Sequence, residues 1–211
     1  MTARHLARFA FSSFLALSVC GAIIAASPSF DTRVPVKLSS GRVSIAGTSN
    51  IHEYTASTTN VRVVRLELAD GVVFGPNFWD EIIKPGAIES FEVAIAAGSL
   101  SSPREGIDKN MYKALKVTEF PTITFRLIRF DGGGDPGALH ATGLLTIAGV
   151  QREVALDLKT TRHDSSFTVN GAVTLLMTDY GVTPPKAMLG MLKTDPKVTV
   201  TFETVLTIPL T

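Results

Sequence analysis

The chain has 211 residues, a formal net charge of +1 and a single cysteine. That length predicts one domain, and the near-neutral balance provides no basic field for nucleic acid or an anionic membrane. One cysteine excludes an internal disulfide framework.

Residues 1–26 read as a secretory signal peptide. Arg4, His5 and Arg8 give a basic start, Phe9 to Ile24 is an apolar run, and Ala25, Ala26 and Ser27 are small. Cleavage is expected after Ala26, because a cut after Ser27 places Pro28 against the scissile bond. The apolar run is shorter than the roughly 20 residues of a spanning helix, which argues against an uncleaved anchor. Cys20 falls inside this segment, and Val19 before it is a poor residue for lipoprotein attachment. Loss of Arg4 and Arg8 leaves one more acid than base in the mature chain. Residues 27–40, with Pro28 and Pro35, form an N-terminal lead-in without clear periodicity.

From 41 to 208 the pattern is that of strands. Val43 and Ile45 lie two apart, followed by Val61 and Val63, Leu66 and Leu68, and then Ile88, Phe91, Val93 and Ile95. The later runs are clearer: Ile123, Phe125 and Leu127; Leu145 and Ile147; Val154, Leu156 and Leu158; Val169, Val173, Leu175 and Met177; and Val198, Val200, Phe202, Leu206 and Ile208. Such alternation puts one face inside and one in water. About eight segments are separated by turn signals at 69–71, 131–137 and Gly149, with no alternating helices of the kind a parallel sheet requires. An all-β antiparallel fold, closed as a barrel or stacked as a sandwich, is the consequence.

Two stretches depart from this pattern. Over 105–116, Ile107, Met111 and Leu115 recur every four residues, which predicts an amphipathic helix. A second helix is predicted over 183–193, with Thr183 as cap, Pro184 in the first turn, and Met188, Leu189, Met191 and Leu192 on its apolar side.

No catalytic or metal-binding constellation emerges. His52, His140 and His163 are not at ligand spacing with one another, and His52-Glu53 lacks the second histidine of a zinc-protease helix. No G-x-S-x-G elbow occurs. Asp179, beside Tyr180 and Gly181, reads as a turn residue more readily than as a general base. No haem or metal cofactor is implied. Met111, Met177, Met188 and Met191 stand out instead, because methionine suits both irregular core gaps and surfaces that hold flexible apolar guests.

Several motifs occur in an order that resembles the YceI-like family of bacterial exported proteins. They are Gly47-Thr48-Ser49-Asn50-Ile51-His52-Glu53-Tyr54, Met111-Tyr112-Lys113-Ala114-Leu115-Lys116 with Phe120-Pro121-Thr122-Ile123-Thr124-Phe125, the 143–154 strand-turn-strand, Met177-Thr178-Asp179-Tyr180-Gly181-Val182 and Lys197-Val198-Thr199-Val200-Thr201-Phe202. The resemblance implies an eight-stranded, lipocalin-like antiparallel barrel around an elongated apolar cavity that holds a polyisoprenoid or similar long lipid. Trp79 is not in the G-x-W motif of true lipocalins.

On this basis the tunnel wall is expected from Ile123, Phe125, Leu145, Leu156, Val173, Leu175, Val200 and Phe202, with Met111, Leu115, Met188 and Leu192 lining or covering a mouth. The expected function is an exported, periplasmic or secreted, lipid-binding protein without catalytic activity. Two other readings are an isoprenoid-quinone carrier serving a membrane redox partner and a solid-cored barrel without ligand.

Overall fold

Alternating apolar residues give a run of antiparallel strands. In the computed structural model, residues 36–187 and 191–209 are described. The strands are β1 (Lys37–Ser49), β2 (Glu53–Thr58), β3 (Val61–Leu68), β4 (Ile88–Ala96), β5 (Thr122–Gly132), β6 (Ala138–Ile147), β7 (Val150–His163), β8 (Ser166–Leu176), β9 (Lys186–Ala187) and β10 (Leu192–Thr207). Two α-helices accompany them, α1 (Phe78–Ile82) and α2 (Glu105–Ala114). The predicted signal peptide and residues 27–35 of the lead-in lie outside the described residues, and β1 begins at Lys37, inside the stretch expected to lack regular structure.

One sheet runs in the order β2-β1-β10-β8-β7-β6-β5-β4-β3, with every pairing antiparallel and β9 attached to β10 alone. Its two ends are β2 and β3, which only Thr59 and Asn60 separate. They behave as one long strand bent at a corner, whose first half pairs with β1 and whose second half pairs with β4. Counted so, eight strands close on themselves, and the sheet has no long free edge to present to another chain.

The corner is held by hydroxyls. The buried Thr58 Oγ1 accepts from the Asn60 amide at 2.9 Å and lies 2.6 Å from Ser99 Oγ. Ser57 and Ser101 then exchange both backbone hydrogen bonds, at 2.8 and 2.9 Å, across the seam.

The two ends of the barrel differ. At one end the long β3–β4 connection folds into α1, which the sequence did not announce because five residues are too few to show a helical period. It drives Phe78, Trp79 and Ile82 into the barrel, where Trp79 stacks on Phe167 of β8 with centroids 5.1 Å apart. This end is plugged. The other end carries the starts of β2, β5, β7 and β10 and the ends of β1, β4, β6 and β8, and α2 lies there.

The helix predicted over 183–193 does not form. Thr183–Pro185 has no regular structure, and β9 pairs with Leu192 and Lys193 at the start of β10. Pro184 fits a first helical turn, but Pro185 directly after it disfavours helical geometry at Pro184, and β10 offers a ladder to the residues beyond. Met188 lies outside the described residues, and Leu192 is placed as the first residue of β10.

Candidate functional site

Helix α2 is amphipathic, yet it contains no buried residue. Helices of globular proteins ordinarily press their apolar stripe into a core. Here Ile107, Met111 and Ala114 face a cavity of about 400 Å³ that opens at this end of the barrel. The helix is fastened by its polar groups: Tyr112 Oη donates to the Leu100 carbonyl at 2.5 Å, and the Asp108 carboxylate accepts from the Ser102 amide at 2.7 Å. It therefore spans the opening as a cover.

The walls come from the period-two face of the strands: Ile45 of β1, Ile123 of β5, Ile147 of β6, Leu175 of β8, and Val198 and Val200 of β10. Leu115, just past α2, and Met177, Tyr180 and Val182, in the turn after β8, complete them. Tyr180 and Val182 are buried, and they reach the cavity because Met177–Tyr180 forms a 3-10 turn closed by Gly181 at φ 65°. Asp179 belongs to that turn, and its carbonyl accepts from Arg152 Nε at 3.1 Å. The rim is polar, with Ser49, His52, Tyr54, Arg104, Lys186 and Thr194. Arg104 donates to His52 Nε2 at 3.0 Å.

Of the twelve residues expected at the ligand, Met111, Leu115, Ile123, Leu175 and Val200 are brought together around the cavity. Phe125, Leu156, Val173 and Phe202 point inward too, but pack with Phe130 and Ala141 in the middle of the barrel. Leu145 packs against Leu115 and Ile123 clusters behind the wall. The space is accordingly a pocket closed at its floor, not a tunnel along the barrel. Phe125 and Phe202 fill the middle because Gly143 and Gly171 carry no side chain where their rings lie.

Sequence reasoning missed Ile45, Ile147 and Val198 as wall residues, although their alternation was visible. It missed Tyr180 and Val182 because an irregular turn carries no periodic signal.

The electrostatics are those of an apolar chamber. Burial pushes the Tyr54 phenol above its usual value of 10.0, and the nearby Asp195 carboxylate adds to the shift. Burial also raises Tyr180, helped by Asp179 and opposed by Arg152. His140 lies on the outside, with Nδ1 2.6 Å from Asp157 of the adjoining strand, and His163 is exposed beside Asp164. Among the described residues, no three His, Cys, Asp or Glu side chains converge as a metal site would require.

A family model for the YceI-like domain matches residues 48–206. The chain belongs to the YceI-like family. Comparison with curated protein sequences gives no significant match. Among solved structures, Burkholderia cenocepacia BcnA superposes with a TM-score of 0.61 at 14% identity, covering 78% of this chain and 95% of that one. A polyisoprenoid-binding domain from Saccharophagus degradans, implicated in plant cell wall breakdown, gives 0.59 at 12% identity, covering 84% and 100%. At these identities the likeness is one of fold, and it agrees with the all-β, lipocalin-like barrel expected from the sequence.

Proposed function

We propose that this YceI-like protein is an exported binding protein that takes the apolar chain of a polyisoprenoid-like lipid into the cavity beneath α2. The observation that carries the reading is an amphipathic helix that buries none of its residues and turns its apolar face to a cavity. The structural neighbour from Saccharophagus degradans, described as polyisoprenoid-binding, supports it. In this reading Met111, Leu115, Ile123, Leu175 and Val200 contact the ligand.

About 400 Å³ is at the small end of the roughly 300–1,000 Å³ usual for ligand sites. The pocket therefore takes the leading segment of a long chain, and the remainder leaves at the rim. Each buried methylene-sized unit contributes about 0.8 kcal/mol, so a slender chain is held without an ionic anchor. Export by the predicted signal peptide places the protein beyond the inner membrane, with Ser27 or a close neighbour as its first residue.

Native mass spectrometry of protein purified from its own host tests the binding. The expected result is a complex heavier by one lipid, which organic extraction identifies as a prenyl compound. Protein without lipid that also fails to bind dispersed farnesol would refute the reading. N-terminal sequencing of the same material tests the export.

A further inference from the structure

Six large apolar side chains are strongly exposed among the described residues: Ile51, Val64, Val73, Ile128, Leu176 and Met191. Val64 and Ile128 are the extra residues at register shifts in β3 and β5, where a bulge turns a side chain outward. Val73 lies in the connection at the plugged end. Ile51, Leu176 and Met191 have no such local cause, and all three stand at the open end.

Asn50 ties two of them together. Its Nδ2 donates to the Met191 carbonyl and its Oδ1 accepts from the Lys193 amide, both at 2.8 Å. The β1–β2 turn carrying Ile51 thus stands beside the β9–β10 turn carrying Met191, with these side chains 59% and 66% exposed. Leu176 is part of the cavity rim and pairs with Lys197 across the β8–β10 ladder. Lys193 pairs with Lys186, another rim residue. Arg104, Lys186, Lys193 and Lys197 are exposed at this end, and the acids Glu53, Glu105, Asp108 and Asp195 lie there too, so charge is balanced.

We propose that this end of the barrel docks on a lipid bilayer, with Ile51 and Met191 entering the interface and the cavity mouth facing the lipid. The inference rests on the lipid-binding reading above, since an apolar chain resides in a bilayer before the protein takes it. Two narrow turn tips are a poor match for a protein partner, which needs a face of about 800 Å². They suit a membrane interface, where apolar side chains sink below the headgroups while lysine stems keep their ammonium groups among the phosphates.

Co-sedimentation of the full mature protein with vesicles tests this. One set is phosphatidylcholine alone and the other is equal parts phosphatidylcholine and phosphatidylglycerol. The wild type is expected to bind both sets, with little dependence on salt, because the apolar tips carry the interaction. The double variant Ile51→Asp/Met191→Asp is expected to lose binding about tenfold or more, given two fewer buried apolar side chains. Neither residue lines the cavity, so binding of dispersed farnesol should be unchanged in the variant. Wild-type protein that binds neither vesicle, or a double variant that binds as the wild type does, would overturn the proposal. Failure to bind farnesol would instead defeat the underlying lipid reading, so the two outcomes are separable.

Discussion

Phe202 of β10 and Gly171 of β8 are strand partners, and the ring of the first occupies the space a side chain on the second would need. Phe125 of β5 covers Gly143 of β6 in the same way. The two aromatic–glycine pairs form the floor of the cavity and set its depth. Bare backbone beneath each ring lets it lie flat in a barrel just wide enough for side chains.

Shortening these rings is expected to deepen the pocket. Phe202→Ala and Phe125→Ala should each cost about 3–5 kcal/mol of stability, as buried phenylalanine truncations do. The bound lipid should shift toward longer buried chains, read as greater protection of the lipid from a water-soluble oxidant. Gly171→Ala is expected to act oppositely, with about 1–3 kcal/mol of overpacking as the ring is displaced. Denaturant titration gives the stabilities, and an unchanged ligand profile in Phe202→Ala would refute the floor.

The division between floor and pocket shows where the sequence stopped being legible. Ile123, Leu175 and Val200 share one phase with Phe125, Val173 and Phe202, so alternation correctly turned all six inward. Whether an inward residue meets a void or another side chain depends on its cross-strand partner, and neighbours such as Gly143 and Gly171 are far away in the chain. The helix over 105–114 was readable because its apolar residues recur regularly, whereas α1 was too short to read. At 183–193 the apolar content looked helical, but Pro185 and the free ladder of β10 decided otherwise.

Alkaline pH should weaken the fold through two cavity tyrosines. Tyr54 and Tyr180 ionise above 10.0 in the folded protein, chiefly because burial disfavours the phenolate. The unfolded chain ionises at the usual value, so above it the folded state holds more protons and stability falls as pH rises. Their contribution is complete below 10.0 and is lost as pH climbs through the raised values. Tyr54→Phe should flatten the decline in urea midpoint between about pH 9 and about pH 11. Both phenols line the cavity, so a bound apolar ligand should delay phenolate absorbance further.

Trp79, the only tryptophan, is 1% exposed at the plugged end and does not border the cavity. Its fluorescence should be blue-shifted and should not change on removal or addition of lipid. A clear spectral response would place ligand at the wrong end of the barrel. Among the described residues nothing accepts a hydrogen bond from its buried Nε1, an orphaned donor that costs about 1–3 kcal/mol. Trp79→Phe removes that penalty along with some packing, so a loss under about 1.5 kcal/mol is expected. Trp79→Ala should cost about 3–5 kcal/mol.

Leu156 and Val198 provide the sharpest contrast between packed barrel and open chamber. Leu156 is 7% exposed and packs against Phe130 and Ala141. An indole there must push these neighbours aside, so Leu156→Trp should lower stability by about 1–3 kcal/mol and leave farnesol affinity nearly intact in the protein that remains folded. Val198 faces the cavity near its mouth, where a larger side chain meets empty space. Val198→Trp should therefore leave the melting of delipidated protein nearly unchanged, because filling a void adds contacts without forcing strained rotamers. The same ring should obstruct the lipid and reduce co-purifying ligand sharply. Thermal denaturation and lipid analysis on both variants read the two effects separately. If Leu156→Trp removes the lipid while Val198→Trp does not, the ligand lies deeper than the chamber beneath α2, and the floor formed by Phe125 and Phe202 must open to admit it.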